Sequence, residues 1–187
     1  MKKGTEMKAT KILKHEHQAI LLVIGAAEKE VDYIEKTGQI HTQTIREMAD
    51  FFKNFVDRCH HAKEEKHLFV MMHEHGVPMK TGLLAVLLHE HEQGRGYVRA
   101  VAKAVTGKGA PDAAAIRKAK KNLAAYVRLL RAHIDKEDHV LYPMADRLLE
   151  PADQKALTEA FEKVESEELG EGVHEKYHAW IEKLVGE

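Results

Sequence analysis

The chain has 187 residues, 44% of them hydrophobic and 32% charged, with a formal net charge of -1. That composition is globular and long enough for one domain with a sizeable core, and so even a charge balance leaves no electrostatic footprint for nucleic acid or an anionic membrane. One cysteine excludes an internal disulfide or a Cys-rich metal site, and the lack of a long apolar block excludes a signal peptide or membrane span, so a cytoplasmic protein is expected.

Glycine and proline collect at punctuation points: Thr37-Gly38, Gly76-Val77-Pro78, Gly107 to Pro111, Glu150-Pro151 and Gly170-Glu171-Gly172. Between them the sequence predicts long helices over residues 8–36, 42–75, 81–106 and 112–149, and shorter ones over 153–168 and 172–185. No run alternates as a strand would. The expected architecture is all-α: an antiparallel four-helix bundle over residues 8–149 with a helical extension over 150–187, all within a single domain spanning 1–187.

In the first helix, Leu13, Ile20, Ile24 and Ala27 form the apolar stripe, and His17 lies within it. His15 shares a face with Ala19 and Leu22 and is its rival. In the second helix His60 follows Val56, and Glu64 comes one turn later. His61 and Glu65 repeat that spacing out of phase: His61 is a rival ligand to His60, though the pair reads more simply as solvated or outlying. The third helix places His91 after Leu84 and Leu87, while His89 sits on a poorer stripe with Gln93 and Gly96. The fourth places His133 after Leu130 and Glu137 one turn on, with Asp138 as a neighbouring alternative. His67 and Tyr126 lie seven residues from His60 and His133, and are candidates to orient them. The basic run Arg117 to Lys121 reads as a solvated face, and Cys59, beside Phe55 and Val56, as a small core residue.

The chain repeats itself. His60 to Phe69 aligns with His133 to Tyr142 as H-x-x-K-E-(E/D)-x-x-L-(F/Y), and His15-Glu16-His17 aligns with His89-Glu90-His91. In this alignment the counterpart of His61 is Ile134. Two carboxylates on core faces, each one turn from a histidine, are expensive unless a cation accounts for them. Residues i and i+4 lie about 6 Å apart on one helix face, so each His-x3-Glu pair can offer a nitrogen and an oxygen to one centre. Two such hairpins packed about a pseudo-twofold axis would bring together His17, His60, Glu64, His91, His133 and Glu137. This set suits two metal ions with the glutamates bridging. Imidazole and carboxylate without thiolate suit iron, manganese or zinc.

With its order of His, His-x3-Glu, His, His-x3-Glu, and with its Leu68-Phe69 and Leu141-Tyr142-Pro143 endings, the chain resembles the hemerythrin-like proteins of the HHE cation-binding family over at least residues 10–150. The resemblance implies a di-iron centre, oxo- or hydroxo-bridged, that binds or senses O2 or a related diatomic such as NO. It also implies an alternative: an enzyme on the same site that reduces peroxide or NO, or delivers iron for cluster repair, with a redox partner protein. The chain departs from the oxygen carriers on its third helix, where the positions four from His91 are Leu87 and Arg95. One iron is therefore expected to have fewer histidines than in a carrier. In the C-terminal segment, His174 and Tyr177 are candidate additions to the site if that helix caps the bundle. The competing expectation is a surface helix docked through Trp180 and Leu184.

Overall fold

The computed structural model describes residues 8–107, 109–170 and 172–186, with the side chains of Leu169 and His174 outside the description. The fold is all-α, with no strand among the described residues. Helix α1 is Ala9–Thr37, ended by Gly38 at φ 67°, whose N–H bonds to Ile34 O; only glycine takes that conformation without strain. Helix α2 starts as Thr42–Phe51, widens into the π-helical stretches Phe52–His61 and Glu64–Leu68, and closes as Phe69–Glu74. Helix α3 is Gly82–Ala104. Helix α4 runs as Ala113–Lys136, widens at Glu137–Leu141 and ends as Tyr142–Leu148; Asp112 caps it by accepting from Ala115 N. Helix α5 is Pro151–Val164 continued by π-helical Glu165–Leu169, and opens on a Glu150–Asp153 capping box. Helix α6 is Val173–Gly186.

The regular-helix expectation fails at the π-helical stretches. Glu64–Leu68 and Glu137–Leu141 occupy the same position in the internal repeat. Pro143 follows the second of them and removes an N–H donor, but no proline follows the first, so the widening belongs to the repeat and not to proline. Such turns carry an extra residue and re-aim the side chains around them.

Side-chain pairs fix the packing. Thr10–Asp146, His17–Asp138 and Glu28–Arg131 run α1 antiparallel to α4. Arg46 to Val105 O and Arg95–Asp57 run α2 antiparallel to α3. His91–His133 places α3 against α4, where Gly94 lets the helices approach: a Cβ there would sit 3.2 Å from Tyr126 Cε2.

Helix α5 lies against α2 through Lys63–Glu165 and Lys66–Glu168. It covers the side of α2 that a bare bundle would leave wet, and residues 59–64 are consecutively buried. Helix α6 docks as a surface helix, with Ile181 buried, Leu184 partly buried and Trp180 Nε1 donating to Glu47.

The apolar interior is in two parts. One cluster gathers Ile20, Ile24, Phe52, Val98, Leu123 and Leu130; the other gathers Leu13, Leu68, Leu84, Leu141 and Phe161. Between their levels on each helix lie His17, His60, His91 and His133.

Candidate metal centre

The buried polar layer draws on four helices. α1 supplies His17, α2 supplies His60, His61 and Glu64, α3 supplies His91, and α4 supplies His133 and Glu137; all are buried. The histidines form two pairs, with His17 Nε2 3.0 Å from His60 Nε2 and His91 Nε2 2.9 Å from His133 Nε2. Glu137 reaches both pairs, with Oε2 3.3 Å from His17 Nε2 and Oε1 2.9 Å from His133 Nε2. Glu64 Oε2 lies between them too, 3.8 Å from His60 Nε2 and 3.5 Å from His91 Nε2. Ligand atoms of His17, His60 and Glu137 form one group able to hold an ion, and those of His61, Glu64, His91 and His133 form a second, each within 4.8 Å.

Every paired histidine is held from behind by a carboxylate. Nδ1 of His17 donates to Asp138 at 2.9 Å, His60 to Glu16 at 2.8 Å, His91 to Glu65 at 2.6 Å and His133 to Glu90 at 2.8 Å. Three of these carboxylates meet a cation in turn: Glu16 pairs with Lys63, Glu65 with Arg95 and Glu90 with Lys136. A proton on Nδ1 leaves Nε2 of a neutral imidazole with a lone pair facing inward.

That tautomer tests the fit to a metal. Two inward lone pairs at 3 Å repel unless one nitrogen is protonated or a cation joins them. Nitrogens each about 2.1 Å from one ion at right angles lie roughly 3 Å apart. The oxygens agree, since Glu64 Oε2 and both Glu137 oxygens are buried without a hydrogen bond among the described residues. The donor set fits divalent cations.

Without metal, protons take their place. Burial opposes charge on every histidine, but Glu137 beside His133 pushes it up to about 9, while His91 is lowered by burial and by His133. The other pair divides likewise: His17 is raised against its burial by Asp138 and Glu137, and His60 is lowered by burial. In each pair one imidazole is thus favoured for the proton over its neighbour. The carboxylates divide too. Burial and the charge of Glu137 raise Glu64 well above its usual range, and His133 holds Glu137 well below it.

The fold brings together His17, His60, Glu64, His91, His133 and Glu137 as the spacing predicts. His61 corrects the sequence reading. It is neither solvated nor paired with Glu65; it stacks on His91 at 3.7 Å between ring centroids, and neither ring nitrogen has a hydrogen bond. It stands with His91, His133 and Glu64 in the second group able to hold an ion, so that group has three histidines. Glu65 instead serves His91 from outside the layer, as Asp138 serves His17.

His15 and His89 are exposed. Tyr177 lies away from the layer, edge-on to Phe51 and Phe55, with its hydroxyl donating to Asp50. The side chain of His174 lies outside the described residues. Tyr126 packs against Phe52 and not on His133, and His67 is partly exposed; neither orients a paired histidine.

Sequence reasoning missed three participants. Tyr142 donates to Glu64 Oε1 at 2.8 Å and lies 3.3 Å from His17 Nε2; its repeat counterpart is Phe69, and that contrast was the available signal. Glu16 and Glu90 were visible only as parts of the His-Glu-His repeat.

The sequence pattern of the Hemerythrin HHE cation binding domain matches residues 8–145. The uncharacterized proteins Rv1995 of Mycobacterium tuberculosis and Mb2018 of Mycobacterium bovis are each 24% identical over 159 residues. The match covers 85% of this chain and 62% of each relative, so the chain spans less than two thirds of their length. No solved structure gives a significant match.

Proposed function

Because the chain belongs to the hemerythrin HHE cation-binding domain family, we propose that it is a non-haem di-iron protein that binds or senses O2 or a related diatomic in its buried histidine–glutamate layer. In this reading the four long helices form the antiparallel bundle of that family. His17, His60 and Glu137 would hold one iron, and His61, Glu64, His91 and His133 the other. The observation that carries it is the pair of inward-facing Nε2 couples, each with Nδ1 committed to a carboxylate, beside three buried carboxylate oxygens that face those nitrogens and have no hydrogen bond among the described residues. When bound there, ferrous iron would supply the electrons for binding or reducing a diatomic. The protein's part is to hold the histidines in one tautomer, to alternate the charges of imidazole, carboxylate and cation outward from the site, and to exclude bulk water with apolar clusters on either side. Metal analysis of anaerobically purified protein, with absorption spectra before and after air, tests this. About two irons per chain and new near-ultraviolet bands on oxygenation are expected. No stoichiometric metal after ferrous reconstitution would overturn it.

One observation favours peroxide or NO reduction on the same centre. The Tyr142 hydroxyl, buried between Glu64 and His17, is a proton store at the inner layer. Turnover of either substrate by the iron-loaded protein, lost in Tyr142→Phe with metal content unchanged, would establish that reading.

A further inference from the structure

His61 has a second neighbourhood besides the metal layer. It is 4% exposed, yet it lines the inner end of a cavity of about 800 Å³ between the first half of α2 and the second half of α3. That volume is in the range of sites for small organic ligands. The cavity is elongated, because its lining on α3 runs from Gly94 to Lys103, roughly 14 Å at 1.5 Å per residue, and continues past the helix end at Val105 and Thr106. Its walls are Ala49, Phe52, Val98, Ala102 and Val105.

The polar groups are unevenly placed. Arg46, Lys53, Arg95, Arg99 and Lys103 line the cavity against only two carboxylates, Asp50 and Asp57, in a chain whose net charge is -1. At the inner end Arg95 is engaged by Asp57 and Glu65, so its charge is met. Toward the outer end Arg46 is held by the Val105 and Gly107 carbonyls, with no acid on it. Lys53, Arg99 and Lys103 are exposed along its rim and engage no carboxylate among the described residues. The cavity thus has apolar walls, a basic rim, and at its inner end an imidazole without a hydrogen bond among the described residues that belongs to the second ion-holding group.

We propose that this groove binds an aliphatic monocarboxylate of medium chain length, with the carboxylate at Lys53, Arg99 and Lys103 and the chain running inward to His61. A cationic or zwitterionic headgroup would meet unpaired positive charge at the rim, and a short hydrophilic acid would leave the apolar walls wet. The proposal depends on the di-metal reading only for what the chain end meets at the floor, and the binding site itself stands without it.

Calorimetric titration of decanoate, 1-decanol and decylammonium, below their micelle concentrations, tests it on both metal-free and iron-loaded protein. Decanoate is expected to bind one per chain in the range of about 10–100 µM, with decylammonium weaker by about tenfold or more. Ala102→Trp fills the groove and should abolish binding, while Arg99→Glu with Lys103→Glu, both on the surface, should weaken decanoate by about tenfold and leave decanol unchanged. Decanoate should also shift the absorption bands of the iron-loaded protein, since its chain end lies beside His61. Decanoate binding to a chain that takes up no iron would uphold the groove and sink the metal reading instead. Two irons per chain with no decanoate binding, equal affinity for decanoate and decylammonium, or binding indifferent to both sets of substitutions would overturn the proposal.

Discussion

Glu16 accepts a hydrogen bond at 2.8 Å from His60, 44 residues away, and not from its neighbour His17, whose Nδ1 goes to Asp138. The same carboxylate pairs with Lys63, itself fully buried. Burial would raise the Glu16 carboxyl, but His60 and Lys63 together bring it down to about 2. One residue thus fixes the tautomer of an inner histidine and neutralises a buried ammonium.

Glu16→Gln should therefore weaken metal binding by about 10- to 100-fold. It should also cost the metal-free protein about 3 kcal/mol, the low end for breaking a buried pair, because Glu165 still reaches Lys63 at 3.2 Å. Adding Lys63→Met should restore most of the stability and none of the metal affinity. Chelator competition and denaturant unfolding read the two effects separately. No change in either quantity for Glu16→Gln would refute the dual role.

His61→Ile installs the residue that the repeat has at Ile134. The expected result is two-faced. Affinity for one of the two ions should fall by about tenfold or more, while the metal-free protein should unfold at the same or a higher temperature. The gain comes from removing two buried ring nitrogens that have no hydrogen bond. A metal titration with unchanged stoichiometry and affinity would remove His61 from the centre.

Metal loading must expel the protons that stand in for it. His133, raised to about 9, carries one at pH 7, and His17 and Glu64 are raised as well. Calorimetry in buffers of different ionisation enthalpy should show net proton release on filling both positions, at least the one proton per chain held by His133. Proton release near zero would mean that the ions bind elsewhere. The loaded protein should also melt higher, with stability about 2.7 kcal/mol greater for each filled position at free metal a hundred times its Kd.

Tyr177 predicts an alkaline limit remote from the metal. Burial and its hydrogen bond to Asp50 raise its hydroxyl from 10.0 to about 12. A folded value above the unfolded one means that the contribution is complete below pH 10 and is lost as pH rises toward 12. Between those limits the wild-type chain should lose more stability than Tyr177→Phe. Parallel curves for the two proteins would show that the hydroxyl contributes nothing.

Much of the centre was legible in the sequence because it is periodic. His17, His60, Glu64, His91, His133 and Glu137 each continue an apolar stripe, and a charged or polar residue in phase with a core is conspicuous. The repeat then paired the two halves. The same logic ranks His61 below His60. Phase places it off the stripe, and its counterpart Ile134 is apolar, yet π-helical turns and the cover of α5 leave residues 59–64 with no wet side. Tyr177 and His89 looked eligible by type and spacing, but neither spacing nor residue type records which face a neighbouring helix occupies.

The sequence by itself determined the helices, their stripes and the inner donors, since each follows from spacing along a single element, where 3.6 residues per turn fixes what points together. Only the tertiary structure decided the rest. Asp138 serves His17, Glu16 serves His60, Glu65 serves His91 and Glu90 serves His133 across separations of 121, 44, 26 and 43 residues, and no local periodicity encodes which helices meet at that level. The basic-rimmed groove ending at His61 arises the same way, from two helices whose facing residues are small or apolar. Shape between elements is a property of their packing.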